Sequence, residues 1–337
     1  MQLTALLARL LEGADLDRNE ARNLMMVFAS GGFVPEQAAG VLVALQMKGA
    51  KPQEIAGMAE LLREHALQMN HEYENLVDTC GTGGGRPTFN LSTGAAIVAA
   101  SCGAKIAKHG NRSVTSKCGG VDVLEALGVR MSADPERLSR MLQQTGIVFL
   151  FAPNHHGSMK AIGPVRKALG VRTVFNQLGP LANPAGATRQ LIGVYDQKLV
   201  KPMADALVLL GAEHAFVVHS ADGMDEVSPC NLTDYAEVAD GTVRTGTFHP
   251  SDFGFDPLPE SALTQGNDVK ESAERLMAAL DYSQPHRSLA LVPNASVALL
   301  LAGSFSTISD AAAATLRAIE EGEAVKKLLQ VIEVTNQ

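Results

Sequence analysis

Residues Asp78 to Gly128 constrain the fold more than any other stretch. They begin D-T-C-G-T-G-G-G-R-P-T-F-N-L-S-T, pass through a run of small residues, and close on A-K-H-G-N-R-S-V-T-S-K-C-G-G-V-D. Asn75 to Cys80 reads as a buried strand. Gly81, Gly83, Gly84 and Gly85 then form a loop without Cβ atoms, so backbone N–H groups can approach a ligand closely. Ser92 or Thr93 stands where an N-cap belongs, ahead of the apolar run Ala95 to Ala100, and Gly103 ends that helix. A glycine loop beside a helix start favours an anion, because free N–H groups and the helix dipole act together.

Fixed cations follow. Lys105, Lys108, Arg112 and Lys117 lie between Gly103 and Asp122 with no acid among them, and Asn111, Ser113, Thr115 and Ser116 add neutral hydrogen-bonding groups. The stretch is suited to a ligand with several phosphate charges and hydroxyls. The chain as a whole carries a net charge of −8, which argues against broad nucleic-acid binding. The basic run is therefore expected to be a local anion pocket, and a divalent metal bound with the anion would ease the mismatch.

Around this stretch the pattern divides the chain. Residues 1–70 read as four short helices. The first is Gln2 to Leu11, the second opens on the capping-box pair Asp17 and Glu20, and Pro35 and Pro52 open the others. After Asn75 short apolar runs alternate with helices. Strands are expected at Val77–Cys80, Lys105–Lys108, Ile147–Phe151, Leu191–Tyr195 and Phe216–His219. Helices are expected at Thr93–Cys102, Val121–Leu127, Pro135–Gln144, His156–Leu169 and Leu199–Leu210. The fold class is α/β: a small all-helical domain plus a larger domain with a mainly parallel sheet covered on both faces. Ligands bind such sheets beyond the carboxyl ends of the strands. Leu178 to Gly186 reads as a crossing between domains. Thr233 to Phe248 reads as a hairpin turning at Asp240-Gly241. Helices near Val269–Leu280, Ala295–Ala302 and Ser309–Leu329 close the chain.

The remaining expectations are negative or divided. No apolar run is long and unbroken enough to span a bilayer, and the N-terminus reads as an amphipathic helix instead of a signal peptide, so a cytoplasmic protein is expected. Cys80, Cys102, Cys118 and Cys230 lack metal-knuckle spacing and read as reduced thiols. Asp225 and Glu226, in H-S-A-D-G-M-D-E-V, read either as Mg²⁺ ligands at a strand-end loop or as a solvated acidic turn. Arg166, in G-P-V-R-K, reads either as a carboxylate partner or as a surface arginine. His109, His155 and His156 read as packing or pocket-lining groups, not metal ligands.

The motifs G-T-G-G with N-L-S-T, K-H-G-N-R-S-V-T-S-K, P-V-R-K, R-T-V-F-N-Q-L-G-P-L-A-N-P and G-M-D-E occur in one order over most of the chain. In this the sequence resembles the anthranilate phosphoribosyltransferase family of tryptophan biosynthesis. The resemblance implies transfer of phosphoribose from phosphoribosyl pyrophosphate (PRPP) to the amine of anthranilate, with Mg²⁺ as cofactor. It implies a nucleoside-phosphorylase-like domain of residues 71–169 and 185–337. The helical domain, joined by a piece near 170–184, would form a homodimer. It also implies that PRPP meets Gly81, Gly84, Gly85, Thr88, Asn90, Ser92, Thr93, Lys108, His109, Gly110, Asn111, Arg112, Ser113, Val114, Thr115, Ser116 and Gly120. Anthranilate would meet Gly81, Asn111 and Arg166, with His109, His156, Met159 and Pro180 along its route. Ser92, Asp225 and Glu226 would hold Mg²⁺. Two positions depart from the family pattern: Gly85 stands where an Asp is usual, in a loop one residue shorter, and Gly120 stands where a Ser is usual. A nucleoside phosphorylase and a non-catalytic PRPP-binding module are the rival readings.

Overall fold

Asn75 marks the boundary between helices and sheet in the computed structural model, which describes residues 2–112 and 117–337. Before it lie α1 (Leu3–Leu11), α2 (Arg18–Ser30), α3 (Pro35–Lys48) and α4 (Pro52–Glu64). The capping box forms as expected: Glu20 N–H donates to Asp17 Oδ1 at 2.8 Å, and Asp17 N–H donates to Glu20 Oε2 at 3.0 Å. Pro35 and Pro52 occupy the first turns of α3 and α4, where a missing N–H costs nothing.

The second part runs β1 (Leu76–Thr79), α5 (Leu91–Ser101), β2 (Lys105–Gly110), α6 (Gly120–Ala126), α7 (Pro135–Thr145), β3 (Ile147–Phe151), α8 (Ala152–His155), α9 (Gly163–Leu169), α10 (Phe175–Leu178), β4 (Arg189–Gly193), α11 (Val200–Leu209), β5 (His214–Ser220), β6 (Thr233–Ala239), β7 (Thr242–Phe248), α12 (Val269–Leu280), α13 (Pro285–Leu301), α14 (Ile308–Glu320) and α15 (Glu323–Asn336). Among the described residues seven strands form one sheet, in the order β3-β2-β1-β4-β5-β6-β7. The first five strands are parallel; β6 and β7 are the antiparallel hairpin, turning at Asp240 and Gly241, both with positive φ. The chain builds outward from β1 to β3, then crosses back to place β4 on β1's other side. The order therefore reverses between β1 and β4, and such a switch point is where open α/β sheets bind ligands.

Alternate strand residues enter opposite cores. Val77, Ile106, Phe149, Leu191 and Val218 face α5 and α12–α15. Ile192, Val194, Ala215 and Val217 face the other way, sharing one core with α1–α4 and with Phe175, Leu178 and Leu181 of the crossing. The bundle and one sheet face are thus a continuous apolar body. Arg63 reinforces it, its Nε donating to the Leu181 carbonyl at 2.6 Å and its Nη1 to the Leu210 carbonyl at 3.2 Å.

Several expected bounds are corrected. The single helix expected at His156–Leu169 is a 3₁₀ turn over Gly157–Lys160 followed by α9, with α8 ending just before it. Gly157 and the Gly163-Pro164 pair interrupt it. The helix at Ala295–Ala302 begins earlier, at Pro285, and runs through Pro293. The helix at Ser309–Leu329 is broken by Gly322, at φ 76°. α5 begins two residues sooner than expected, so neither Ser92 nor Thr93 is its N-cap. Asn90 takes that place in the left-handed conformation, without a side-chain cap.

Candidate active site at the β1–β4 switch point

α5 lacks a conventional cap because its first turn is capped from elsewhere. The Ser92 N–H donates to Glu226 Oε1 at 3.2 Å. This contact brings the glycine-loop helix and the acidic loop together across 134 residues of sequence. Glu226 and its neighbour Asp225 are partly open to the crevice. Burial, and next the Asp225 charge, push the Glu226 carboxyl up to about 8. Burial also raises Asp225, against the opposing influence of its own and the Gly83 amides, His219 and Lys108. Two adjacent carboxylates held this way lack positive charge. The Ser92 N–H thus holds Glu226 beside Asp225 at the glycine loop, where a hydroxyl and two carboxyls lie on neighbouring segments, the donor types a hard cation uses. Among the described residues no set of three or more His, Cys, Asp or Glu converges, so ligand oxygens and water would have to complete such a cation's shell.

Glycines set the position of Asp225. A Cβ on Gly193, the last residue of β4, would lie 1.6 Å from the Asp225 carbonyl oxygen. One on Gly85 would lie 2.5 Å from Asp225 Oδ1 and 2.6 Å from its amide, and one on Gly81 2.9 Å from Oδ2. The acidic loop is seated on bare backbone at three points. Its far side is held by Asn294 of α13, which accepts from Val227 N–H and donates to the Val227 carbonyl, each at 2.9 Å. The glycine loop itself is tied to β4: Thr82 N–H donates to the Gly193 carbonyl at 2.8 Å, and Tyr195 N–H to Thr82 Oγ1 at 3.1 Å. Arg172, from the crossing, stacks on Tyr195 at 4.3 Å with Nη1 3.4 Å from the Gly84 carbonyl. Gly193 and Asn294 were not singled out by the sequence, and Arg172 entered only as the first residue of the R-T-V-F-N-Q-L-G-P-L-A-N-P motif.

The basic stretch is only partly an anion pocket. Lys108 is buried and donates from Nζ to the Thr79 carbonyl at the end of β1. Lys105 sits at the amino end of the same strand, its Nζ 5.4 Å from the Tyr73 ring centre, and is no part of the site. Lys117 donates to Asn267 at 3.3 Å. Arg112 stacks on Phe151 and pairs with Asp122 at 3.0 Å and Glu125 at 2.7 Å. The absence of acids within the run therefore did not leave Arg112 open; α6 supplies its acidic partners. Asn111 is exposed, its Oδ1 accepting from the Arg112 amide, and Gly110 ends β2. Ser113, Val114, Thr115 and Ser116 lie outside the described residues.

Other expected residues fall around the loop. Thr88 Oγ1 lies 3.5 Å from the Leu91 amide, and Asn90 Nδ2 donates to the Cys118 carbonyl at 3.2 Å. Thr93 is buried beneath Gly120, whose added Cβ would come within 3.0 Å of Thr93 Oγ1. Position 120 thus has little room for the serine usual in the family. On the far wall His109 and His156 meet edge to face at 5.2 Å. None of their four ring nitrogens finds a partner among the described residues. Burial, followed by neighbouring histidines, pushes them down to about 3 and about 4, so both rings are neutral at pH 7. Pro180 is buried nearby in the crossing, and Met159 is half-buried against the bundle core. Arg166, on α9, lies 4.8 Å from the Phe175 ring centre and makes no ion pair among the described residues. Burial lowers its pKa, which favours an anionic partner.

Residues 73–325 match the a/b domain of a glycosyl transferase family, and residues 4–66 match that family's helical bundle domain. The fold is that of a two-domain glycosyl transferase. The sequence is 46% identical over 330 residues to an anthranilate phosphoribosyltransferase of Anaeromyxobacter dehalogenans, covering 98% of this chain and 97% of that one. Among solved structures it is similar to anthranilate phosphoribosyltransferase of Thermus thermophilus, with TM-score 0.91, 37% identity and coverage of 98% and 99%. It is also similar to the Saccharomyces cerevisiae enzyme in complex with PRPP and Mg, with TM-score 0.88, 27% identity and coverage of 99% and 98%. The chain belongs to the anthranilate phosphoribosyltransferase family.

Proposed function

We propose that the chain transfers the phosphoribosyl group of PRPP to the amine of anthranilate, releasing pyrophosphate, as a step of tryptophan biosynthesis. The observation that carries this reading is the convergence of Ser92, Asp225 and Glu226 on the glycine loop, with Lys108 at the adjoining strand end. Magnesium bound by those oxygens supplies positive charge to the leaving pyrophosphate. The amides of the 81–85 loop and the first turn of α5 stabilise the same group, and Lys108 adds a fixed charge. Arg112 reaches phosphate only by exchanging Asp122 and Glu125 for it.

The transition state is cation-like at the sugar, so positioning and charge placement supply most of the rate. An aromatic amine has its lone pair free at neutral pH and needs no strong base. The neutral rings of His109 and His156 suit that role as a wall that neither protonates the amine nor repels the sugar cation. Arg166, with Gly81 and Asn111 opposite, orients the anthranilate carboxylate. We assign residues 1–70 and 170–184 to the helical domain, which covers the sheet and would exclude water from the site. Loss of anthranilate fluorescence that requires both PRPP and Mg²⁺ is the expected result. Unchanged fluorescence in the complete mixture would refute the reading.

Arg166→Ala is expected to raise the KM for anthranilate roughly ten- to hundredfold, as for a lost charge-assisted pair worth about 1.5–3 kcal/mol, with PRPP binding nearly unchanged. An equal loss of PRPP affinity would remove Arg166 from the amine-substrate side.

We further propose a cytoplasmic homodimer formed through the helical domain. All four cysteines are free, which suits a reducing compartment. Leu11 is 71% exposed at the end of α1 and Met47 83% exposed at the end of α3, with Val43 one turn before it. Large apolar side chains open to water on packed neighbouring helices mark an interaction surface. Met47→Lys with Leu11→Lys is expected to halve the mass measured by light scattering. A dimer that persists would place the interface elsewhere.

A further inference from the structure

The β1–β2 ladder ends early. Its paired residues are Leu76 with Lys105 and Val77 with Ile106, whereas β2 stays paired with β3 as far as Gly110 and Phe151. Past that point β2 is joined to β1 by side chains. The His109 N–H donates to Asp78 Oδ1 at 3.0 Å, and Lys108 Nζ donates to the Thr79 carbonyl. The Asp78 carboxyl thus takes the hydrogen bond that a β1 carbonyl would accept in a continued ladder. The two strands splay at their carboxyl ends, where the crevice opens.

Asp78 is fully buried, and its Oδ2 has no partner among the described residues. Its register partner on β4 is Gln190, whose Oε1 is also buried and unpartnered. Gln190 Nε2 donates to the Pro180 carbonyl at 2.8 Å, and Asn183 Nδ2 to the Ala107 carbonyl at 2.8 Å. These side chains tie the crossing to β1, β2 and β4. Burial pushes the Asp78 carboxyl up to about 6, with hydrogen bonds from its neighbours and the Lys108 charge acting against that rise.

We propose that Asp78 is a positioning residue for the transfer reaction: by accepting from the His109 amide it holds the end of β2, and with it Lys108 and His109, at the height the pyrophosphate requires. The proposal rests on the PRPP reading of the site. Neither residue of β2 is altered by its test.

Asp78→Asn keeps an acceptor for the His109 amide and offers Nδ2 to Gln190, so KM for PRPP and kcat are expected within about threefold of the parent. Asp78→Ala removes that acceptor. It is expected to raise the KM for PRPP about tenfold, the equivalent of one buried hydrogen bond, while the KM for anthranilate changes little. Circular dichroism and thermal melting run alongside. If Asp78→Asn loses activity as Asp78→Ala does, the group acts through charge and the proposal is overturned. If Asp78→Ala lowers only the melting temperature, leaving both KM values unchanged, Asp78 is merely structural and the proposal is overturned as well. Should Asp78→Ala fail to fold, Asp78→Ser draws the acceptor out of reach of the His109 amide and carries the same KM comparison. A parent protein inactive with PRPP and anthranilate would refute the function itself, a result distinct from each of these.

Discussion

Changing Asp225 to Asn and Glu226 to Gln together is expected to cut turnover about a thousandfold at ordinary magnesium, with partial recovery at high magnesium. The substitution keeps both side-chain volumes and the Ser92 contact to position 226. What it removes is charge at the one place where two adjacent carboxyls are driven upward by burial and by each other. Neutral amides at those positions relieve that repulsion, so the folded protein should be no less stable. Stability and activity therefore move in different directions, and a melting curve separates loss of metal affinity from loss of fold. An unchanged magnesium dependence in the double variant would return the pair to a role in loop structure alone.

The second large effect is expected at Gly85. The family's usual aspartate suggests a phosphate-facing position, and positive φ is one reason for a glycine there. The geometry gives a different reason. Gly83 and Gly84 have positive φ, at 67° and 84°, but Gly85 does not. It is a glycine because the Asp225 amide and carboxylate occupy the space a Cβ would need. Gly85→Ala alone should displace the acidic loop and weaken PRPP binding roughly tenfold, in line with the 1–3 kcal/mol typical of overpacking, with the magnesium slope unchanged. Gly85→Asp adds a third carboxylate beside Asp225 and Glu226. It should weaken PRPP further at low magnesium and steepen the slope. Calorimetric PRPP titrations across a magnesium series distinguish the two costs. Parent-like affinity in Gly85→Ala would mean that the loop does not rest on Asp225. Gly193→Ala, with the tighter approach of 1.6 Å, should be worse than Gly85→Ala in the same assay.

The fold was legible because its signals are local. Prolines at 35 and 52, the Asp17–Glu20 box, and Asp240-Gly241 each fix a turn or helix start within a few residues. Apolar runs at Ile147–Phe151 and Phe216–His219 marked strands because both sheet faces are buried and no polar alternation interrupts them. The errors share a cause as well. Ser92 looked like a cap, but the carboxylate that satisfies its amide is at Glu226, and no short window contains both. Lys105 and Lys108 looked equivalent, yet a strand separates its two ends, and only the carboxyl end lies beside the crevice. Arg112 looked free because Asp122 and Glu125 lie on a helix that begins after the basic run. Motif order indicated which residues converge; which cations stay open, and why Gly85 and Gly193 are glycines, depend on contacts between distant segments.

The reversal of strand order between β1 and β4 has a consequence for the newly made protein. β1 is complete at Thr79, but its second neighbour starts only at Arg189 and the acids follow at Asp225. During synthesis β1 stands as an open edge, already carrying the glycine loop, until well over half the chain has left the ribosome. The loop cannot close on its acidic partner before then, so no PRPP-competent site exists in a partial chain. Once β4 docks, any ligand that bridges the glycine loop and the acidic loop stabilises the finished sheet by mass action. A melting temperature that rises with PRPP concentration is the measurable form of that linkage.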